Sequence, residues 1–345
     1  MNSLDLTRLK IEDGEYIFRS DDRRLLEDLA FAARETTRQY FGRTMGLYAP
    51  LYISNYCENR CAYCGFQASS HIGRKKLSLD EIEKECAALH EVGIRSCLIL
   101  TGESRFHSPP EYIGQAVSIA VRYFPYVSLE VYALTTDEYR ALNAAGADGV
   151  TLYQETYDRA RYDELHYSGP KKDYDYRLRT PERIAEAGFR NISLGALLGL
   201  ADWRSDVIAL FRHVRYLEKQ FPGVEYGISF PRLRQVAEDE HHYREVTDLE
   251  MVKIISTARL IFPRAGISIS TRENADFRDR VIELGVTRMS AGSSTSVGGY
   301  AGAGMAHDDG QFRVHDVRSF AEIKAMLKRK GFDPVVTEWR NIANG

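Results

Sequence analysis

The chain contains no apolar run approaching the roughly 20 residues that a membrane-spanning helix needs, which excludes such a helix. Its opening residues, MNSLDLTRLK, lack the hydrophobic stretch of a secretory leader, so the cytoplasm is the expected location. Positive charge is not in excess: 46 Lys and Arg stand against 49 Asp and Glu, giving a net charge of −3. With basic and acidic residues interspersed, neither nucleic acid nor an anionic membrane is an expected partner. Cysteine is scarce and odd in number, five in all, which does not suit a disulfide framework and suits a reducing compartment. Internal repeats and low-complexity tracts are also missing.

What is present suits one large domain. A chain of 345 residues with 44% hydrophobic content can bury a core without disulfides or structural metals. Residues 22–43 read as an amphipathic helix, with Leu25, Leu29, Ala32 and Ala33 at helical spacing. Thereafter eight β-rich runs alternate with helical patterns: 48–53, 94–100, 127–134, 148–153, 190–196, 224–230, 266–270 and 286–290. The helices between them are expected at 78–92, 110–123, 136–145, 180–188, 203–220, 247–262 and 273–284. Ser78 with Glu81 forms a capping box; Thr180, Thr247 and Thr271 read as helix starts, and Gly93, Gly146, Gly188 and Gly285 as left-handed helix ends.

Eight strand–helix units are what a (βα)8 TIM-type barrel requires. The competing arrangement is an open doubly wound sheet. The expected organisation is an N-terminal helical extension over 1–46 and a single barrel domain with a C-terminal helical tail over 47–345. The Gly-rich stretch 298–304 after the eighth strand reads as the loosest loop. Active sites of such barrels lie where the strands end, so the residues following each run are the candidates.

The first strand runs into Cys57, Cys61 and Cys64, a C-x3-C-x2-C loop whose thiolates can converge on one centre. Structural zinc takes four ligands, usually in paired cysteine knuckles; the chain has no second pair, and neither His71 nor His90 has motif spacing. A [4Fe–4S] cluster held by three cysteines keeps one iron open to a small molecule, leaving a non-catalytic iron–sulfur or zinc protein as the other reading. Cys86 and Cys97 lie in apolar periodic segments and read as small core residues.

With Tyr63 before the last cysteine and Gly65-Phe66 after it, the loop resembles that of the radical S-adenosylmethionine (SAM) superfamily. The resemblance implies that the open iron chelates SAM and that Tyr63 and Phe66 contact its adenine. Thr101-Gly102-Glu103 resembles the family's G-G-E element, with Thr101 in place of the first glycine, and implies that Gly102 and Glu103 receive the methionine amino group. By the same resemblance Glu155 accepts hydrogen bonds from the ribose hydroxyls, Arg177 pairs with the SAM carboxylate, and Leu198 in GALLGL lies near the adenine.

Seven segments narrow the resemblance to the aromatic amino acid lyases, and among them to the tyrosine lyases of thiamine thiazole synthesis. They are FGRTMGLYAPLYISNYC (41–57), LYQETY (152–157), GPKKDYDYRL (169–178), GALLGLADWR (195–204), ISFPRL (228–233), SISTRE (268–273) and SAGSSTSVGGY (290–300). A related hydrogenase maturase carries three further cysteines in a C-terminal extension. Here no cysteine follows Cys97, and the ending FDPVVTEWRNIANG is similar to that of the thiamine-pathway enzymes. The implied reaction breaks the Cα–Cβ bond of L-tyrosine, giving p-cresol and dehydroglycine (2-iminoacetate); tryptophan or another aromatic amino acid is the alternative substrate. Arg272 offers a planar fork to the substrate carboxylate, with Ser290 adding a hydroxyl and Tyr52 a contact from below. A one-electron reductant of flavodoxin or ferredoxin type is implied as partner, together with a thiazole synthase.

Overall fold

The computed structural model describes residues 4–233, 243–302 and 310–336. Eight parallel strands form the barrel: β1 (Thr44–Ser54), β2 (Ser96–Thr101), β3 (Tyr126–Glu130), β4 (Gly149–Glu155), β5 (Asn191–Ala196), β6 (Glu225–Ser229), β7 (Gly266–Ile269) and β8 (Arg288–Ser290). Each pairs with the next, and the ring closes where Gly46, Leu47 and Tyr48 of β1 meet Arg288, Met289 and Ser290 of β8. The closed ring excludes the doubly wound alternative. A ninth short strand, β9 (Asp333–Val335), lies parallel to the start of β1, with Thr44 opposite Asp333.

Strand alternation sorts the side chains. In β3, Val127 and Leu129 are fully buried, whereas Tyr126 and Ser128 line the lumen. The lower lumen is bordered mostly by hydroxyls, with Asn191 and Arg288, and only Leu98 and Val150 supply the branched apolar side chains that dominate such barrels.

Helices connect the strands, including Leu79–Glu91, Pro110–Ala120, Thr136–Ala144, Trp203–Gln220 and Asp248–Ile261. The capping boxes Ser78/Glu81 and Thr247/Glu250 are formed. Two expected caps differ. Arg179 precedes the helix Thr180–Glu186, and the Thr180 hydroxyl donates back to Tyr176 O. Asn274, whose side-chain oxygen accepts the Phe277 N–H, starts the helix Ala275–Val281 in place of Thr271. Gly93, Gly146 and Gly188 have positive φ; Gly285 does not, and is small because Ile255 and Arg259 press on it. The third strand ends at Glu130, four residues before its expected end, because its pairing with β2 stops at Leu100.

Two N-terminal helices, Asp13–Arg19 and Arg23–Phe41, pack outside the barrel over the helices that follow β5 and β6. Phe18 meets Trp203 edge-on with ring centroids 5.2 Å apart. The Gly-rich stretch is not loose where it is described: Glu85, itself buried, accepts the Tyr300 and Ala301 N–H groups, and the Tyr300 hydroxyl donates to Pro50 O. Residues 303–304 of that stretch and 337–345 of the C-terminal segment lie outside the described residues. No helix of the described residues is long and apolar enough to cross a membrane.

Candidate active site

The chain leaves β1 at Ser54 on the strand-end face of the barrel and turns through the three cysteines. Backbone hydrogen bonds tie this loop to the end of β2: Gly102 N–H donates to Ser54 O at 2.9 Å and Glu58 N–H to Glu103 O at 2.8 Å. A Cβ on Gly102 would lie 2.4 Å from Tyr56 O and 3.2 Å from the Cys57 Cβ, so only glycine permits this approach. On the far side Arg74 donates to the carbonyls of Asn55, Phe66 and Gln67 at 2.6, 2.9 and 2.5 Å. Arg60 and Cys61 pair with Ser168 and His166 in a small antiparallel ribbon, which draws the segment after β4 onto the cysteine loop.

Asn59 joins these pieces. Only 1% exposed, it donates from Nδ2 to Glu103 Oε2 at 2.6 Å and accepts the Lys171 N–H on Oδ1 at 2.9 Å. Its Nδ2 also lies 3.7 Å from Cys57 Sγ. The three thiols influence one another electrostatically, and burial pushes Cys61 up to about 12 while Lys171 pulls the other way. Bound metal would therefore have to displace thiol protons.

Glu155, the last residue of β4, is the one described non-glycine residue with positive φ, at 72°. The β4–β5 register shifts there, which turns its buried carboxylate inward. Lys171 Nζ lies 2.6 Å and Arg177 Nη2 3.4 Å from Glu155 Oε1, and Arg177 Nε donates to Tyr153 O at 2.7 Å. Burial works against the charge on Glu155, but Lys171 and Arg177 outweigh it and hold the carboxyl below its ordinary value. Tyr63 packs with Leu165, Leu197, Leu200 and Leu233, and its hydroxyl meets His166 Nε2 at 2.8 Å. Burial pushes His166 down to about 3, so the neutral ring donates from Nδ1 to Tyr162 O and accepts from Tyr63.

Across the lumen, Arg272 follows β7 with its guanidinium 3.6 Å from the centroid of the Phe312 ring. Its neighbour Glu273 is taken by Arg232, at 2.8 and 2.5 Å, and among the described residues no carboxylate forms an ion pair with Arg272. Ser290 Oγ accepts the Thr271 N–H at 3.1 Å, fixing the turn that carries Arg272. The Tyr52 hydroxyl donates to Gln311 Oε1 at 2.8 Å, and its ring stands edge-on to buried Phe66. Leu198 lies in the main core; Leu197 takes the place beside Tyr63. Cys86 and Cys97 are fully buried.

Asn59, Lys171, His166 and Glu130 were not singled out by sequence reasoning. Glu130 ends β3 among the lumen-facing residues, an acid where a barrel strand meets the site, and that position was the available signal. Lys171 lies in a polar run, GPKKDYDYRL, that carries no periodicity.

Residues 51–214 match the Radical SAM superfamily, and residues 229–333 match the Biotin and Thiamin Synthesis associated domain. The 2-iminoacetate synthase of Salmonella typhimurium is 39% identical over 319 residues, covering 91% of this chain and 83% of that protein. Its Escherichia coli counterpart is 40% identical over 315 residues, with the same coverage. The chain belongs to the radical SAM superfamily. Within it, the chain falls in the 2-iminoacetate synthase family of carbon–carbon lyases. This radical SAM fold is similar to the FeFe-hydrogenase maturase HydG from Carboxydothermus hydrogenoformans, with a TM-score of 0.89 and 33% identity over 95% of this chain and 76% of that one.

The cofactors of a radical SAM enzyme are a [4Fe–4S] cluster and SAM. The residues present suit them. Among the described residues no group of three His, Cys, Asp or Glu side chains is arranged to hold one metal ion. On a cubane each thiolate takes its own iron, and three cysteines on one braced loop at the barrel mouth provide that donor set. Beside them, Glu155, Arg177 and the Gly102–Glu103 turn offer an acid, a cation and open backbone to a polar ligand.

Proposed function

We propose that this radical SAM lyase cleaves the Cα–Cβ bond of L-tyrosine to 2-iminoacetate and p-cresol, as a step of thiamine thiazole synthesis. The bound cofactors supply a 5′-deoxyadenosyl radical as hydrogen-atom acceptor. The observation that carries the reading is Arg272, a lumen guanidinium stacked on Phe312 whose natural carboxylate partner, Glu273, is already committed to Arg232. A substrate carboxylate completes it by a forked, charge-assisted contact. The named relatives, at 39–40% identity, support the same reaction.

In this reading Cys57, Cys61 and Cys64 hold the cluster, and Gly102 and Glu103 receive the methionine amino group. Arg177 pairs with the SAM carboxylate, Glu155 takes the ribose hydroxyls, and Tyr63 and Leu197 border the adenine, with Phe66 and Leu198 packed behind them in the main core. Ser290 acts by holding the turn under Arg272, and Tyr52 by setting the floor with Gln311. Enclosing the reacting groups in the lumen keeps water from the imine product and holds amino group and acceptor in contact. Residues 1–46 then form a helical extension and 47–345 one barrel domain, working in the cytoplasm with a flavodoxin- or ferredoxin-type reductant and handing product to a thiazole synthase.

The test is anaerobic incubation of reconstituted protein with SAM, dithionite and tyrosine or tryptophan in separate reactions. p-Cresol from tyrosine is the expected result. Consumption of tryptophan with tyrosine untouched would overturn the substrate.

A further inference from the structure

Resting on the reading that an α-amino acid lies with its carboxylate on Arg272, we propose that Glu130 is the base that takes a proton from the substrate's ammonium group. Glu130 follows Tyr126 and Ser128 at strand spacing, and both of these line the lumen. Its charge is felt by Tyr48 and Tyr52 on β1 and by Tyr153 on β4. It in turn feels Glu155, Lys171 and Arg177 from the cofactor side and Arg272 from the substrate side. Strand alternation puts Glu130 on the lumen side of β3, at its last residue, opposite Leu100 of β2.

The other acids around this site are committed: Glu155 to Lys171 and Arg177, Glu273 to Arg232, and Glu103 to Asn59. Among the described residues the half-buried Glu130 carboxylate takes part in no side-chain hydrogen bond or ion pair. A carboxylate kept without a partner inside a protein is costly, and a cationic ligand that enters the lumen removes the cost. An amino acid whose carboxylate is on Arg272 brings such a cation.

The chemistry requires more than a counterion. Nitrogen in an ammonium group has no lone pair to stabilise the centre left when a hydrogen atom departs, so the amine must first be neutral. The step moves one proton and no electrons: the N–H bond breaks, an O–H bond forms on Glu130, and ammonium plus carboxylate become amine plus carboxylic acid. Burial, and then the nearby Glu155, push the Glu130 carboxyl up to about 7 against Arg272, Lys171 and Arg177, which suits a base working near neutrality. The same three cations weaken the ammonium group's hold on its proton.

The test compares reconstituted wild-type protein with Glu130→Gln and Glu130→Asp. p-Cresol formation is followed from pH 6 to 9, and binding of tyrosine and of 3-(4-hydroxyphenyl)propanoate, which lacks the amine, is measured by calorimetry. The Gln variant should form p-cresol about 100-fold more slowly at pH 7, with a rate rising about tenfold per pH unit as hydroxide replaces the base. It should bind tyrosine more weakly yet hold the amine-free acid within about twofold of wild type, and the Asp variant should recover part of the rate. A Gln variant with rate and pH profile within about threefold of wild type, or equal loss of both ligands, would overturn the proposal. Should wild type consume tryptophan instead, the tyrosine reading fails alone, and the same comparison with tryptophan and indole-3-propanoate decides the role of Glu130.

Discussion

Lys171 Nζ and Arg177 Nη2 share a single oxygen of Glu155, at 2.6 and 3.4 Å, and among the described residues the other oxygen accepts no hydrogen bond. One edge of the carboxylate is thus fixed to the protein and the other is left for a ligand's donors. Replacing Lys171 with Met leaves Glu155 buried with one cation in place of two. Stability should fall by about 3 kcal/mol, and SAM should bind more weakly. Denaturant melts and equilibrium dialysis with SAM measure the two effects; an unchanged melt would show that the pair carries no weight in the fold.

Gly102→Ala places a methyl group against Tyr56 O and the Cys57 Cβ. Backbone cannot yield as a flexible side chain can, so the cysteine loop must move, at a cost of about 1–3 kcal/mol. Iron content after reconstitution should drop together with the melting temperature. Full iron loading in the Ala variant would show that the loop tolerates the shift.

Arg272→Lys keeps a positive charge and loses the planar fork. kcat/KM for p-cresol should fall about 10²-fold, while 5′-deoxyadenosine continues to form without matching p-cresol. The ratio of the two products is the readout, and a ratio equal to that of wild type would contradict a role in holding the substrate.

His213 provides a pH signature away from the reacting groups. Its Nδ1 lies 3.0 Å from the Tyr157 hydroxyl, and burial pushes it down to about 4 from an ordinary 6.5. The folded protein disfavours the proton that the unfolded chain accepts, so stability is intact above pH 6.5 and is lost as pH falls toward 4, by about 1–3 kcal/mol. In iron-free protein, His213→Gln should flatten that slope relative to wild type; parallel pH curves from urea melts would refute it.

All eight strands and the cysteine loop were legible because each is written in local spacing: apolar alternation in the one case, C-x3-C-x2-C in the other. Helix starts were less legible where two capping candidates stood close together, as with Thr271 and Asn274, and the backbone path decided between them. Lys171 was invisible for a different reason. Its position follows from the pairing of Cys61 with His166 and from the hydrogen bond of its own N–H to Asn59, contacts across more than 100 residues that no local pattern announces. Ser290 was expected to offer its hydroxyl to a substrate, whereas its observed hold on the Thr271 N–H depends on where β7 and β8 end side by side.

Asn59 bonds to Glu103 on one side and to the Lys171 backbone on the other. One amide thus clasps three stretches far apart in the chain: the cysteine loop, the end of β2 and the segment after β4. The walls of the pocket are therefore not independent parts, and a single exchange at this position would loosen all of them together.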